Sequence, residues 1–232
     1  LLYKENKLDD IQKRFFEPQG PEELYDLSVD PYETCNLAAD PLYADDLKKM
    51  RCLLINNLMT QNDLGLLPES IWLEEGKQNP VGYGSQSHKR LKRLMNVANL
   101  QLLPFSKAKE EIRKALVSPD EAERCWALTA CIWWGDEASE LSSQIGEMLK
   151  DPSALVQSRA VVFLTTTTHI NPVGLLKKVL LQARSGAETL WILNDMAYLK
   201  NYYPDLCLSL ANDDIPVKCE GVDWRIDYLL SP

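Results

Sequence analysis

Apolar residues recur every three or four positions through most of the chain after residue 85, which predicts a mainly α-helical protein. Between residues 88 and 98, the apolar stripe consists of Leu91, Leu94, Val97 and Ala98, with lysines and arginines between them. The same spacing predicts the inward faces of three later helices, which carry Trp126, Ala127, Ala130, Cys131 and Trp134, then Leu141, Ile145, Met148 and Leu149, then Ala160, Val161 and Leu164.

Helix starts in the second half of the chain recur at an interval of about 30 to 35 residues. Pairs of helices at this period indicate an α-solenoid, because no single pair can bury its apolar face alone. The segment with Asp151 as predicted N-cap, followed by Pro152, Val156 and Arg159, resembles a HEAT-type helix. A later unit lacks the Asp–Pro opening, so we predict a degenerate, HEAT-like array. The predicted starts lie near Ser118, Asp151, Ser185 and Asp214.

The N-terminal part of the chain has a different pattern. Residues 23–27 (ELYDL) alternate in the manner of a short β-strand, and Asp30 with Pro31 predicts a turn after it. A helix opened by Asp40 and Pro41 follows. The glycine-rich stretch 76–86 reads as a flexible connector. We therefore predict three segments, residues 1–75, 76–117 and 118–232. The apolar stripe of the helix after Pro41 consists of Leu42, Leu47, Met50, Leu54 and Leu58.

The charge distribution changes this picture in one place. The chain has 232 residues, 45% of them hydrophobic, which is ample for a core, and its formal charge of −9 argues against general nucleic-acid binding. Residues 71–117 nevertheless carry an excess of positive charge. Their lysines and arginines form either a solvated helix face or a patch for an anionic ligand. No apolar run reaches membrane-spanning length. The candidate anion contacts are Lys89, Arg90, Lys92 and Arg93.

No catalytic or metal-binding pattern is evident. The only histidines, His88 and His169, have no spaced partner, and adjacent acidic pairs such as Asp213–Asp214 point to different helix faces. Trp72, beside the glycine-rich stretch, is the best candidate for stacking on a sugar, whereas most other tryptophans are predicted in the core. Six cysteines show no metal-finger spacing and are predicted to be buried free thiols: Cys35, Cys52, Cys125, Cys131, Cys207 and Cys219.

Residues 21–38 (PEELYDLSVDPYETCNLA) resemble the C-terminal end of formylglycine-dependent sulfatases of the alkaline-phosphatase-like superfamily. The preceding residues 1–18 are similar to the run-in found in a bacterial branch of that family, in which a helical tail is also familiar. The resemblance covers about residues 1–70 at the level of motifs. The positions that match the family pattern are Pro21, Glu23, Leu24, Tyr25, Asp26, Leu27, Asp30, Pro31, Glu33, Asn36, Leu37 and Ala38.

The resemblance implies a parent enzyme whose active site lies in a domain ahead of Leu1. The family's formylglycine arises within a Cys/Ser-x-Pro-x-Arg motif beside calcium, and this sequence contains no such motif. The chain alone is therefore expected to be inactive, with the catalytic domain as its partner in cis, a sulfated glycan as a possible ligand, and a periplasmic or secreted location. The start on Leu1 suggests a processed piece. Without that domain, an apolar face around Leu24, Leu27 and Leu37 should be exposed. The alternative is a stand-alone helical-repeat scaffold that binds another protein.

Overall fold

A computed structural model describes residues 2–3, 5–17, 19–203, 206, 210–211 and 214–230. The described chain is mainly helical and contains no β-strand, which confirms the predicted α class. The predictions for Cys207 and Asp213 lie outside the described residues. Contacts divide the chain into two compact units, a first unit of Leu1–Gln61 and a second unit of Asn62–Pro232.

The first unit consists of two helices and the irregular segment between them. A capping box formed by Asp9 and Gln12 starts helix α1, Asp10–Lys13. Helix α2, Ala44–Gln61, follows a 3₁₀ turn over Pro41–Tyr43, and Asp40 caps that turn by accepting a hydrogen bond from the backbone N–H of Leu42 at 2.9 Å. The predicted opening of this helix by Asp40 and Pro41 is thus confirmed.

The strand predicted at residues 23–27 does not form. Leu24 donates its backbone N–H to Asn36 Oδ1 at 3.0 Å, and its carbonyl accepts from the N–H of Leu37 at 2.8 Å. These two hydrogen bonds to one turn do not form a β-sheet pairing, and no described residue supplies a neighbouring strand. The predicted turn at Asp30 is confirmed, because its carboxylate accepts from Thr34 Oγ1 at 2.9 Å and from the N–H of Cys35 at 2.7 Å.

The second unit is a layered helical array. Its described helices are α3 Glu69–Gly76, α4 Pro80–Gln86, α5 His88–Ala98, α6 Phe105–Ala115, α7 Glu121–Trp134, α8 Ser142–Glu147, α9 Ala154–Thr168, α10 Val173–Leu180, α11 Gly186–Tyr202 and α12 Val222–Leu230. Helices α5, α7, α9 and α11 each pack against the next, while the intervening helices α6, α8 and α10 and the final α12 pack beside them. Short 3₁₀ turns join several of the helices.

The core of the second unit follows the predicted apolar stripes. Leu91, Leu94 and Ala98 of α5 are buried, as are the predicted inward residues of α9. Residues three and four positions apart lie on the same face of a helix, so the sequence alone predicts which face is apolar. The largest fully buried side chains include Phe163, Leu116, Leu128, Leu141, Ile145, Leu155, Leu176, Leu180 and Ile192.

Two local predictions need correction. Helix α9 begins at Ala154 with Ser153, not Asp151, at the N-cap position, because Asp151 accepts from the backbone N–H of Ser153 at 2.9 Å in a turn before the helix. The predicted flexible connector at 76–86 instead forms helix α4, where Asn79 Oδ1 caps the N–H of Gly82 at 2.9 Å.

Residues 62–86 are packed parts of the second unit. Leu67 and Ile71 are buried, α3 packs on α11, and Trp126 Nε1 donates to the carbonyl of Leu66 at 2.7 Å. Gly84 approaches its neighbour so closely that a Cβ added there would lie 2.9 Å from the carbonyl oxygen of Asn62. By these contacts, residues 62–75 belong with the helical array.

Candidate functional site

The predicted basic cluster lies on helix α5, where its two arginines are already engaged. Arg90 forms a two-pronged pair with Asp120, Nε to Oδ2 at 2.7 Å and Nη2 to Oδ1 at 2.8 Å. A third N–H donor of the same guanidinium, on Nη1, reaches Glu75 Oε2 at 3.0 Å. Arg93 Nε donates to Glu123 Oε1 at 2.6 Å. Such paired, charge-assisted contacts hold both arginines against the protein's own carboxylates.

The two lysines of the cluster are in a different state. Lys89 and Lys92 are exposed, and within the described residues neither ammonium group has an ion-pair partner. Of the four predicted anion contacts, the structure therefore leaves these two available at the surface. They lie on the same exposed side of α5, three residues apart.

The electrostatics of the Arg90–Asp120 pair follow from its geometry. The hydrogen bonds to Asp120 raise the pKa of Arg90, although burial opposes the shift. Burial on its own would raise the pKa of Asp120, but the hydrogen bonds and charge of Arg90 hold it below its ordinary value. Both groups are thus charged at neutral pH and act as a fixed link between α5 and the start of α7.

The same link recurs one helix further along. Arg124 of α7 pairs with Asp151 ahead of α9, Nε to Oδ2 at 2.8 Å and Nη2 to Oδ1 at 2.9 Å. The first pair joins residues 30 apart and the second joins residues 27 apart. We call these two pairs, Arg90–Asp120 and Arg124–Asp151, the arginine ladder. Each member ties a helix of the α5–α7–α9 layer to the turn that begins the next.

At α9 the Arg–Asp link takes a different form, which the sequence patterns did not predict. Arg159 Nη1 lies 3.1 Å from Asp195 Oδ1 of α11, and its guanidinium stacks 4.7 Å from the ring centre of Trp191. Ser158 Oγ donates to Asp195 Oδ2 at 2.6 Å. Asp195 is almost fully buried, and that burial raises its pKa. The sequence does indicate that Asp195 is buried, because this residue lies between Ile192 and Met196 on the apolar face of α11.

An open cleft of about 350 Å³ lies along the ladder, at the starts of α7 and α9. Each arginine on its wall has a carboxylate partner: Arg90 has Asp120, Arg124 has Asp151, and Arg184 has Glu188 at 2.8 Å. The charges of the cleft are therefore largely balanced internally. Its lining consists of Arg90, Pro119, Asp120, Glu121, Arg124, Pro152, Ser153 and Arg184.

The remaining candidates do not converge on the cleft. Trp72 is half-buried on α3, and Trp133, at 43% exposure, is the more accessible of the adjacent pair with Trp134. His88 Nδ1 contacts Asn62 Oδ1 at 2.7 Å, whereas His169 ends α9 in a left-handed conformation with φ of 56°. Neither histidine lies on the wall of the cleft.

The prediction of buried free thiols is correct only in part, because Cys35, Cys52 and Cys219 are free but exposed. Cys125 and Cys131 are both free and buried, as predicted. Burial raises the pKa of Cys131 to about 12 and that of Cys125 further, so both stay protonated at neutral pH. Within the part of the chain that the structure describes, no group of His, Cys, Asp and Glu side chains is arranged to hold a metal ion.

Comparisons with known proteins give no assignment. No protein-family model matches the chain, and no curated protein or solved structure is similar enough to count as a match. None of the described helices combines the length and the apolar character needed to cross a membrane.

Proposed function

We propose that this chain is the non-catalytic C-terminal portion of a sulfatase. Residues 1–61 would complete a catalytic domain that lies ahead of Leu1, and the helical array would shape substrate access or assembly. The proposal rests on the resemblance of residues 21–38 to the end of the sulfatase domain and on one structural observation in the first unit.

That observation is the exposure of apolar side chains in the first unit. None of its described residues is buried. Phe15, Tyr32 and Leu42 are 85%, 86% and 88% exposed. A domain of sixty residues that folds alone buries roughly 60% of the surface of its unfolded chain, and so has a core. Apolar surface of this extent is typical of a segment that covers another domain. The exposed set is Leu2, Tyr3, Ile11, Phe15, Phe16, Leu27, Val29, Tyr32, Leu42, Met50, Leu53 and Leu54.

The chemistry of the proposed enzyme would come from the domain ahead of Leu1. The described residues form no calcium-binding cluster, and the sequence has no Cys/Ser-x-Pro-x-Arg motif. Formylglycine and calcium would therefore both be held outside this chain. The same resemblance supports a periplasmic or secreted location.

The arginine ladder supports the HEAT-like interpretation of the second unit. It places an Arg–Asp link between successive helices twice, at sequence separations of 30 and 27 residues, and contacts between neighbouring units are typical of a repeat architecture. For a sulfated glycan, the exposed ammonium groups of Lys89 and Lys92 are the proposed contacts, because Arg90 and Arg93 are engaged elsewhere. Trp72, half-buried, could offer only part of its ring.

The decisive experiment compares this chain with the intact product of its gene. We expect the intact product to release sulfate from an aryl sulfate and to contain formylglycine by peptide mass spectrometry, while residues 1–232 alone release none. An intact product that has no formylglycine motif ahead of Leu1 would overturn the proposal.

The glycan contact has its own test on a heparin column. We expect Lys89→Ala combined with Lys92→Ala to elute at lower salt than the parent chain. The matched control is Lys107→Ala, an exposed lysine on α6 that has no ion pair within the described residues. Equal elution of all three proteins would remove these lysines as glycan contacts.

A stand-alone scaffold is the second candidate, favoured by the buried apolar core of the second unit. The amide hydrogen exchange of the intact gene product separates the two functions. A scaffold needs no partner for residues 1–61, so their protection would be the same in the intact product and in the isolated chain.

A further inference from the structure

The cleft along the arginine ladder contains a polar group that the protein itself does not use. Ser153, on the wall of the cleft, is only 4% exposed, and its Oγ has no hydrogen-bond partner within the described residues. A buried hydroxyl without a partner lowers stability, so each such group in a native protein needs an explanation. The unused hydroxyl is the first indication that the cleft binds a polar ligand.

Hydrogen-bond donors lie beside this hydroxyl. Ser153 occupies the N-cap position of α9, but no side chain caps the helix. The backbone N–H groups of Ala154 and Leu155 have no acceptor within the described residues. Arg184, on the wall of the cleft, is 60% exposed and uses Nε and Nη2 to bond Glu188, so its Nη1 has no partner within the described residues. All these groups can donate to an oxygen atom of a ligand.

The cleft also contains a hydrogen-bond acceptor. Glu121 lies on its wall in the first turn of α7 and has no hydrogen bond or ion pair within the described residues. The hydrogen bond to Glu188 is the main reason that the pKa of Arg184 is raised, and the charge of Glu121 adds to the shift. Glu121 and Arg184 are therefore close enough to interact. Pro119 and Pro152, both exposed, add apolar surface to the same wall.

The charge balance of the cleft indicates the class of ligand. Asp120, Asp151 and Glu188 neutralise the three arginines of the wall. Glu121 adds one further carboxylate. An anion would contact a site with more carboxylates than arginines, and a cation would contact three guanidinium groups, so neither gains a clear net attraction. A hydroxyl both donates and accepts, so a neutral ligand rich in hydroxyls fits donors and an acceptor on one wall.

We propose that this cleft binds a neutral sugar unit, whose hydroxyls bond Ser153, Arg184 and Glu121. A sugar ring carries hydroxyls at its edge and C–H groups on its faces, and the C–H groups pack on the two prolines. The cleft volume of about 350 Å³ lies within the range of small-molecule sites. The inference goes beyond the proposed function and does not depend on it, because all these residues lie in the second unit.

Titration of isotope-labelled residues 1–232 with simple sugars, followed by NMR, tests the inference. The probes are the methyl glycosides of glucose, galactose and N-acetylglucosamine. We expect at least one of them to shift the amide signals of Glu121, Ser153 and Ala154 in a saturable manner, with a Kd of about 1 to 10 mM. If none of the three causes a saturable shift at these amides up to about 50 mM, the inference is wrong.

A charged probe distinguishes a neutral-sugar site from an anion site. A sulfate ester of the tightest-binding glycoside should bind no more tightly than the neutral glycoside itself, because the wall already carries an excess of carboxylates. Binding of the sulfate ester that is at least about tenfold tighter would show an anion site instead and would overturn the inference.

Two variants with matched controls separate binding from folding. Glu121→Gln removes the charge of the acceptor and Ser153→Ala removes the hydroxyl, so each should weaken glycoside binding at least about fivefold. Ser153→Ala should leave the urea midpoint unchanged, since its hydroxyl loses no partner in the protein. The controls, Glu137→Gln and Ser139→Ala, alter exposed side chains outside the cleft and should change neither quantity. Glycoside binding that is unchanged in both cleft variants would contradict the proposed site.

Discussion

In the second unit, helices α5 to α12 turn their apolar stripes toward one another, and Phe163 at the centre is fully buried. In the first unit, α2 is the longest of the described helices at 18 residues, yet it has no buried residue. Helix formation and core formation are thus separate steps. Local sequence can specify a helix, but a core requires a second apolar surface at the right distance.

The largest test of this difference removes a core side chain from the second unit. Phe163→Ala should lower the free energy of unfolding by about 3 to 5 kcal/mol, because it leaves a cavity in α9. Urea unfolding followed by far-UV circular dichroism reports both units, since both contain helices. The matched variant Leu42→Ala, at 88% exposure, should change the transition by less than about 0.5 kcal/mol. Comparable losses from both variants would erase the distinction between the units.

The next effect comes from the arginine ladder. Arg124→Ala leaves the carboxylate of Asp151 nearly buried without its partner and should cost about 3 kcal/mol in the same unfolding assay. Arg113→Ala breaks a pair with Glu140 whose side chains are both more than a third exposed. That control should cost much less, because solvent screens an exposed ion pair. If the arginine ladder contributes no more than an exposed ion pair, Arg124→Ala and Arg113→Ala will cause equal, small losses of stability.

Glycine substitutions test whether residues 62–86 are packed or merely connect. Gly84→Ala places a Cβ 2.9 Å from the Asn62 carbonyl oxygen and should destabilise the second unit by about 1 to 3 kcal/mol. Gly174→Ala meets nothing within 4 Å in helix α10 and should instead stabilise by about 0.5 to 1 kcal/mol. If Gly84→Ala leaves the stability of the second unit unchanged, residues 76–86 are a loosely packed connector, as the sequence predicted.

The smallest effect concerns pH. Because Arg90 depresses the pKa of Asp120 in the folded protein, the pair stabilises above the unfolded value of about 4 and loses its contribution as the pH falls through the folded value. Asp120→Asn should therefore lower stability at pH 7 and flatten the loss of stability in acid. Unfolding measured from neutral pH to about pH 2.5 shows both changes. The control, Asp136→Asn, alters an exposed carboxylate that has no ion pair within the described residues.

Three features could be predicted from the sequence alone: the helical class, the buried faces of α5 and α9, and the start of the α2 region at Asp40. These features depend on residues within a few positions of one another, so periodicity and capping rules reach them. The strand predicted at residues 23–27 failed for the complementary reason, since a strand needs a neighbour that the described chain does not supply.

Which side chains of the basic cluster are available to a ligand depends on tertiary packing. In the sequence, Arg90 and Arg93 belong to the same basic run as Lys89 and Lys92. The carboxylate partners of the two arginines lie 30 residues away and contact them only after α5 packs on α7. The same packing turned a glycine-rich stretch into helix α4 and buried Asp195 against Arg159. Ion pairs between residues far apart in the chain depend on how the helices pack, and local sequence patterns do not predict that packing.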